Sequence, residues 1–437
     1  MGSKGRPRMV IIGGGFAGLN AARHLKDAPI DITLVDKRNH HLFQPLLYQV
    51  ATAGLSPGDI AEPIRTILRS QENAYVEMSE VVDIDTEGAQ VLLKHGAPLA
   101  YDYLLLATGV THTYFGRDEQ WSDLAPGLKT LEDAVTIRSR FLAAFEEAEK
   151  TRDPAARQRL LTFVIVGAGP TGVELAGTMS EMAKNSLSRD FDNITDDDSR
   201  IILVESNPRV LKTYPEKLSA KAKAALVKRG VEVRNNCRVT NIDNEGVFIG
   251  EERLEAANVF WAAGVKANPL GAKLGCPTNS RGCVQVLPDL SVPGHPEIFV
   301  AGDLADITDA EGKAVPGVAQ GALQMGRHVA KVVAGRLEGR PAPAPFVYKD
   351  RGSMATIGRK DAVVHTKKLQ LSGMPAWLMW VVVHLAFLVG FDNRLLVFIQ
   401  WTWYWLTYKQ GTRLITENYR GHEDPRHTEV CASDELA

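Results

Sequence analysis

The sequence predicts an α/β chain in which one strand–turn–helix unit occurs twice, followed by a segment of short apolar helices. Three observations carry this prediction. Turns with the spacing G-x-G-x-x-G stand at Gly13, Gly15 and Gly18, and again at Gly167, Gly169 and Gly172. Each turn follows an apolar run and precedes a helix-like stretch, and a second apolar run then ends in an acid, Asp36 or Glu205. Five of the seven tryptophans crowd between Trp377 and Trp405.

At 437 residues the chain is too long for one small core, and two or three domains are expected. With 45% hydrophobic and 23% charged residues, disordered and fibrous classes are excluded. A formal net charge of −2 gives no global attraction to nucleic acid, so no such partner is expected. Cys237, Cys276, Cys283 and Cys431 form no CxxC pair and show no metal-ligand spacing with histidines, so no metal is expected. The apolar stretch at residues 9–12 is short and runs straight into glycines, unlike a secretory leader, which puts the expected bulk of the protein in the cytosol.

In the first unit, residues 9–12 read as a buried parallel strand and residues 19–25 as the helix that it feeds. Gly13 makes the tight turn, Gly15 admits a pyrophosphate to the backbone, and Gly18 lets the helix pack on the strand. Phe16 and Ala17 complete the motif and belong to the same contact surface. The new helix aims its N-terminal N–H groups at the phosphates. Residues 32–35 form the second strand; Asp36 at its end can accept both hydroxyl hydrogens of an adenosine ribose, with Lys37 beside it.

The second unit repeats the plan with a strand at residues 161–166, the second glycine turn, a helix from Val173, and a strand at residues 201–204 ending in Glu205. Tyr103-Leu-Leu-Leu-Ala107-Thr108-Gly109 closes the first unit and Val259-Phe-Trp-Ala-Ala263-Gly264 the second, a further repeat that counts Gly109 and Gly264 among the candidate nucleotide contacts. With 38 glycines, a single motif carries little weight, but two in the same context are specific. Two Rossmann-like dinucleotide-binding domains imply two dinucleotides in one protein. Both acids favour a free 2′-hydroxyl, hence NADH over NADPH, although Arg209 lies close enough to Glu205 to blur the preference.

Ile298-Phe-Val-Ala301-Gly302-Asp303 is a further strand ending in Gly-Asp. The order GxGxxG, ATG, GxGxxG, AGD resembles the two-dinucleotide flavoproteins of the glutathione-reductase type. That resemblance implies tightly bound FAD at Gly13, Gly15, Gly18, Asp36, Thr108, Gly302 and Asp303, and NADH around Gly167, Gly169, Gly172, Glu174 and Glu205. Taken alone, Asp303 reads equally as a helix N-cap. Three blocks narrow the match: His41-Leu-Phe-Gln-Pro-Leu-Leu-Tyr-Gln-Val50 with Gly54-Leu-Ser-Pro-Gly-Asp-Ile-Ala-Glu-Pro-Ile64, Gly167-Ala-Gly-Pro-Thr-Gly-Val-Glu-Leu-Ala-Gly177, and Pro316-Gly-Val-Ala-Gln320-Gly-Ala-Leu-Gln324-Met-Gly326. They resemble the type II NADH:quinone oxidoreductases, over residues 8–415 or so. The resemblance implies a peripheral membrane flavoenzyme on the cytoplasmic face, a homodimer, that oxidises NADH and reduces a membrane quinone without pumping protons. It implies an FAD domain over residues 1–120 and 280–345, an NADH domain over 121–279, and a C-terminal membrane-association region over 346–437.

No cysteine precedes residue 150, and Cys276 and Cys283 stand too far apart for a redox pair, which argues against disulfide and sulfide chemistry. Gln320 and Gln324 are one helical turn apart and can face the same side. Their amides suit quinone carbonyls, and equally a helix start or the flavin; the resemblance favours quinone, Gln320 above Gln324. Glu174 reads as a first-turn surface acid, or, by the resemblance, as a group near the nicotinamide.

In the C-terminal region, residues 376–391 are apolar except for His384 and Gly390. As a helix they would be about 24 Å long, short of a hydrocarbon core of roughly 30 Å. Residues 391–394 interrupt the run, and residues 395–408 are apolar again, with Asn393, Gln400, Tyr404 and Thr407 in one polar stripe. Arg359, Lys360, Lys367, Lys368, Arg394, Lys409 and Arg413 flank these helices. The pattern suits helices lying in an anionic leaflet through residues 374–413, or a buried dimer or core helix; the resemblance favours the membrane. Beyond Glu417 a frayed polar tail is expected. The alternative function is a soluble NADH-dependent reductase of an iron–sulfur electron-transfer protein, which shares both glycine motifs but has no use for apolar C-terminal helices.

Overall fold

A computed structural model describes residues 5–341, 343–388, 391–407 and 412–416. The expected polar tail, with Cys431, and Tyr408 and Lys409 lie outside the described residues. Contacts divide the described chain into two compact units, one within Met1–Phe43, Ala61–Thr113 and Gly264–Arg351, the other within Gln44–Ile60, Tyr114–Ala263 and Gly352–Ala437.

The chain opens with β1 (Arg8–Ile12), α1 (Phe16–His24), β2 (Asp31–Asp36), β3 (Ala74–Met78) and β4 (Tyr103–Leu106). There follow α2 (Leu131–Lys150), β5 (Thr162–Val166), α3 (Pro170–Asn185), β6 (Arg200–Val204), α4 (Glu216–Lys228), β7 (Val231–Arg234) and β8 (Asn258–Trp261). Then come β9 (His295–Val300) and α5 (Ala319–Leu337). The last elements are β10 (Ser353–Gly358), β11 (Asp361–His365), β12 (Gln370–Gly373), α6 (Met374–Phe387) and α7 (Phe391–Thr407).

In the first unit a six-stranded sheet runs Ser291–Val292, β9, β4, β1, β2, β3. The five long strands are parallel, and β1 at the centre sets Ile12 opposite Val35 and Leu106. Alternate residues serve opposite faces. Met9, Ile11, Leu34, Leu105 and Phe299 enter one core, while Val10, Ile12, Val35, Leu104 and Val300 enter another. A parallel sheet buried on both faces needs such unbroken apolar strands, which is why they stand out in the sequence.

In the second unit β7, β6, β5 and β8 form a parallel sheet, with Val166 opposite Val204 and Trp261. The antiparallel sheet β10–β11–β12 follows, with β10 against α3. At Gly177 the contact is so close that a Cβ would stand 2.2 Å from the Ile357 carbonyl oxygen. α6 and α7 have 14 and 17 residues, and no described helix is long and apolar enough to cross a membrane. The expected interruption at residues 391–394 falls earlier: α6 ends at Phe387, where the Arg394 side chain donates to the Leu388 carbonyl, and α7 already begins at Phe391.

Residues 44–60 belong to the second unit, where they pack on α2 and α3 and are bonded to α7 and the segment after it. The Trp401 indole N–H donates to Gln49 Oε1 (2.8 Å), the Gln400 amide to Asp59 Oδ1 (3.2 Å), and the Thr412 hydroxyl to the Ala53 carbonyl. Gln400, in the expected polar stripe, thus turns toward protein. Leu395, Leu396, Phe398, Ile399 and Trp403 are about half exposed.

Candidate functional site

The glycine turns show which positions the fold requires and which a ligand requires. At Gly13 (φ +107°) a Cβ would lie 2.5 Å from the Ala107 carbonyl oxygen, and at Gly18 it would lie 2.0 Å from the Gly13 carbonyl oxygen. A Cβ at Gly15 would meet nothing within 4 Å among the described residues. The second turn matches it position for position. A Cβ at Gly167 would lie 2.8 Å from the Ala262 carbonyl and one at Gly172 1.8 Å from the Gly167 carbonyl oxygen, whereas Gly169 again faces open space. Gly15 and Gly169 are also the N-caps of α1 and α3 and bring no side-chain cap. Open space before a helix N-terminus is the cradle that a pyrophosphate needs.

The acidic strand ends brace these turns. Asp36 accepts from the Gly14 N–H (2.7 Å) through Oδ2 and from the Arg38 N–H (2.8 Å) through Oδ1. Glu205 accepts from the Ala168 N–H (2.7 Å) through Oε2 and from the Asn207 N–H (2.8 Å) and amide through Oε1. Burial pushes Glu205 up, but the hydrogen bonds from Ala168, Asn207 and Ser206 together outweigh it and hold the carboxyl below its ordinary value. Arg209 donates to the carbonyls of Tyr214 (2.8 Å) and Lys212 (2.9 Å), so its guanidinium is engaged within the loop.

The other expected contacts stand mostly just past strand ends. The Thr108 hydroxyl is buried without a partner among the described residues, as a group awaiting a ligand would be. Gly109 (φ +66°) and Gly264 (φ +93°) take backbone shapes that favour glycine. Asp303 sits inside the 3₁₀ turn Gly302–Leu304, whose N-cap is Ala301, and the next helix starts at Ala319; the N-cap reading of Asp303 is therefore replaced. Lys37 is exposed beside Asp36. Phe16 stands edge-on to His41, centroids 5.1 Å apart. His41, part of the block after the second strand and given no role there, is buried; its Nδ1 lies 2.9 Å from the Gly14 carbonyl oxygen, and burial lowers its pKa.

Gln320 and Gln324 both face the segment after α5. Gln320 Oε1 accepts from the Arg351 N–H (3.2 Å). The Gln324 amide pairs with the backbone of Lys349 in both directions (2.9 and 3.0 Å), in the manner of a neighbouring strand. Glu174 departs from the surface reading: it is 9% exposed on α3. Burial pushes its carboxyl well above the ordinary value, against a hydrogen bond from the Thr356 backbone.

A second feature had no single sequence signal. In the second unit Tyr48, Gln49, Thr178, Glu181, Thr356 and Arg359 share a cavity with Trp377, Trp380, Trp401 and Trp405. Trp380 packs on Trp401 (5.1 Å) and on His384 (4.2 Å), and burial lowers the His384 pKa to about 4. Among the described residues no group of His, Cys, Asp or Glu is arranged to hold a metal ion.

Known proteins align with this geometry over nearly the whole chain. A pyridine nucleotide-disulphide oxidoreductase family model matches residues 7–326, and an NDH2 C-terminal domain model matches residues 351–409. The chain is 45% identical over 426 residues to the type II NADH:quinone oxidoreductase Ndh of Mycobacterium tuberculosis, covering 94% of this chain and 91% of that one. This chain belongs to the type II NADH:quinone oxidoreductase family. Its identity to NdhA of the same organism is 46%, over 94% and 90% of the two chains. The structure of NDH2 from Plasmodium falciparum in complex with NADH superposes with a TM-score of 0.84 at 20% identity, over 94% of this chain and 100% of that one. The sulfide:quinone oxidoreductase of Aquifex aeolicus gives 0.70 at 18% identity, over 89% and 91%. At those identities the two structures speak to fold alone.

Proposed function

We propose that this member of the family oxidises NADH and passes the electrons through bound FAD to a membrane quinone, without pumping protons. The observation that carries the reading is the pair of open glycine cradles, one in each unit, together with the tryptophan-lined cavity beneath α6 and α7 in the second unit. When bound, FAD supplies hydride acceptance and two-electron return.

The first cradle is assigned to FAD. Gly15 and the N-terminus of α1 take its pyrophosphate, Asp36 the adenosine ribose, and Thr108 and Asp303 further polar contacts. The second cradle is assigned to NADH. Gly169 and the N-terminus of α3 take the pyrophosphate, and Glu205 takes the ribose hydroxyls. A 2′-phosphate there would meet a carboxylate, while Arg209 is spent on loop carbonyls, so NADH is preferred to NADPH. Glu174, whose carboxyl burial pushes well above its ordinary value, is assigned a place near the nicotinamide.

Quinone is assigned to the tryptophan-lined cavity, where ring faces are apolar and the Gln49 amide and the Tyr48 and Thr178 hydroxyls supply neutral polar contacts. Gln320 is kept as a contact to flavin or quinone. Gln324 has the weaker claim, since Lys349 already engages its amide. The half-exposed apolar face of α7 and Leu378 and Val382 of α6 are read as lying in the membrane interface, on the cytoplasmic side where NADH is available. The same helices are available to a second copy of the chain in a homodimer.

The test follows flavin absorbance under anaerobic conditions. NADH should bleach it and a short-chain quinone should restore it. Bleaching without recovery would remove quinone as the acceptor, and no bleaching would remove the oxidoreductase reading.

A further inference from the structure

One buried ion cluster has no part in either nucleotide cradle. Glu181 on α3 and Arg229 just past α4 have side chains 10% and 12% exposed, and Arg229 Nε donates to Glu181 Oε1 at 2.8 Å. The same guanidinium reaches Asp361 Oδ2 (2.9 Å) and the Arg359 carbonyl oxygen (3.0 Å). The Arg359 N–H, in turn, donates to both oxygens of Glu181 (2.9 and 2.8 Å). Charged groups therefore hold both the N–H and the carbonyl of one backbone residue.

Gly358 is cut to fit this arrangement. At φ +132° it takes a shape that side-chain-bearing residues rarely adopt, and a Cβ there would stand 2.5 Å from Glu181 Oε1 and 2.6 Å from Arg229 Nε. From the fixed backbone, the Arg359 side chain donates to the Trp405 carbonyl and lies over the Trp405 ring, 5.8 Å from its centroid. Lys360 stands over the same ring at 5.0 Å. Glu181, Gly358, Arg359 and Trp405 all line the tryptophan-lined cavity.

Stability does not account for the cluster, because well-packed apolar side chains generally serve as well as a buried ion network. Geometric definition does. We propose that Glu181, Arg229 and Asp361 are positioning residues for quinone: they fix Arg359, and Arg359 fixes Trp405 as one wall of the cavity. The proposal rests on the assignment of quinone to that cavity. Planar recognition by Arg359 and Arg229 uses the forked geometry of arginine, which lysine lacks.

The experiment compares Arg359→Gln, Glu181→Gln and Arg229→Lys with the wild type in both half-reactions, flavin bleaching by NADH and reoxidation of the reduced flavin by a short-chain quinone, and takes the quinone KM from steady-state turnover. Loss of one charge-assisted contact should raise the KM for quinone about tenfold in Arg359→Gln and Glu181→Gln. Arg229→Lys, which keeps the charge but gives up the fork, should raise the KM by less, and bleaching by NADH should stay within about twofold in all three. An unchanged quinone KM would overturn the proposal, as would parallel slowing of both half-reactions with a lowered melting temperature, the mark of a structural role only. If Glu181→Gln fails to fold, Arg359→Gln decides alone, because its side chain is partly exposed and its backbone contacts survive. Failure of quinone to restore the flavin in the wild type would instead overturn the assignment of quinone itself.

Discussion

Gly169→Ala separates what the fold needs from what the nucleotide needs. The residue has φ −70° and ψ −177°, extended backbone open to any residue, and the added methyl would meet nothing within 4 Å. Alanine is a poorer N-cap than glycine but reduces the freedom of the unfolded chain, and these terms of about 0.5–1 kcal/mol each oppose one another. The melting temperature should hardly move. Gly172→Ala is the contrast, since its methyl would stand 1.8 Å from the Gly167 carbonyl oxygen and must drive α3 off β5; overpacking of this kind costs roughly 1–3 kcal/mol or more. For binding the order reverses. The Gly169→Ala methyl occupies the space before the α3 N-terminus and excludes a charge-assisted hydrogen bond worth about 1.5–3 kcal/mol. That converts to a roughly 10- to 150-fold rise in the NADH concentration needed for half-maximal bleaching. Anaerobic stopped-flow absorbance reads the binding effect, and flavin fluorescence during a thermal ramp reads the stability. If Gly169→Ala binds NADH normally yet melts as early as Gly172→Ala, the pyrophosphate does not occupy the open space and the reasoning fails.

Two further outcomes follow from burial. Because the folded-state pKa of Glu174 lies above its unfolded value, folded protein keeps a proton that unfolded chain has lost, and stability falls as pH rises from the unfolded value through the folded one. Glu174→Gln should therefore melt with the wild type near pH 4 and progressively above it toward pH 8, while turnover drops; a melting difference that is constant with pH would refute this. On the exposed face of α7, Leu395→Glu with Phe398→Glu places charges on two side chains that are 50% and 51% exposed, and should weaken sedimentation with anionic vesicles tenfold or more. Val227→Glu, on the exposed side of α4, is the control; equal loss in both would discredit the face assigned to lipid.

Both glycine turns were legible because their constraints are local: Gly13 to Gly18 and Gly167 to Gly172 each enforce a strand-to-helix turn within six residues. The acids at Asp36 and Glu205 were legible as strand ends, but their use in bracing Gly14 and Ala168 depends on a crossing of neighbouring strands that periodicity does not reveal. Of the two readings of Glu174, the surface acid is the one that burial removes, since β10, which packs on α3, arrives from far down the chain. The pairing of Glu181 with Arg229 and Asp361 left no trace for the same reason. The tryptophan cluster announced a special region, but not that residues 44–60 help to build it, as the bonds from Trp401 to Gln49 and from Gln400 to Asp59 show. Gln320 and Gln324 share a helix face as their spacing requires; spacing says nothing of the segment at Lys349 and Arg351 that they hold.

The near-contact of α1 with α5 reaches further than packing. A Cβ at Gly326 would lie 2.2 Å from the Ala17 carbonyl oxygen, so the two helices touch main chain to main chain, with no compliant side chain between them. Ala17 belongs to the first glycine turn, and α5 carries Gln320 near its start. A spring-like interface would let each end settle separately. This one leaves no such slack: the helix that carries Gln320 is held by its own backbone against the turn assigned to the pyrophosphate, so neither can approach the other further.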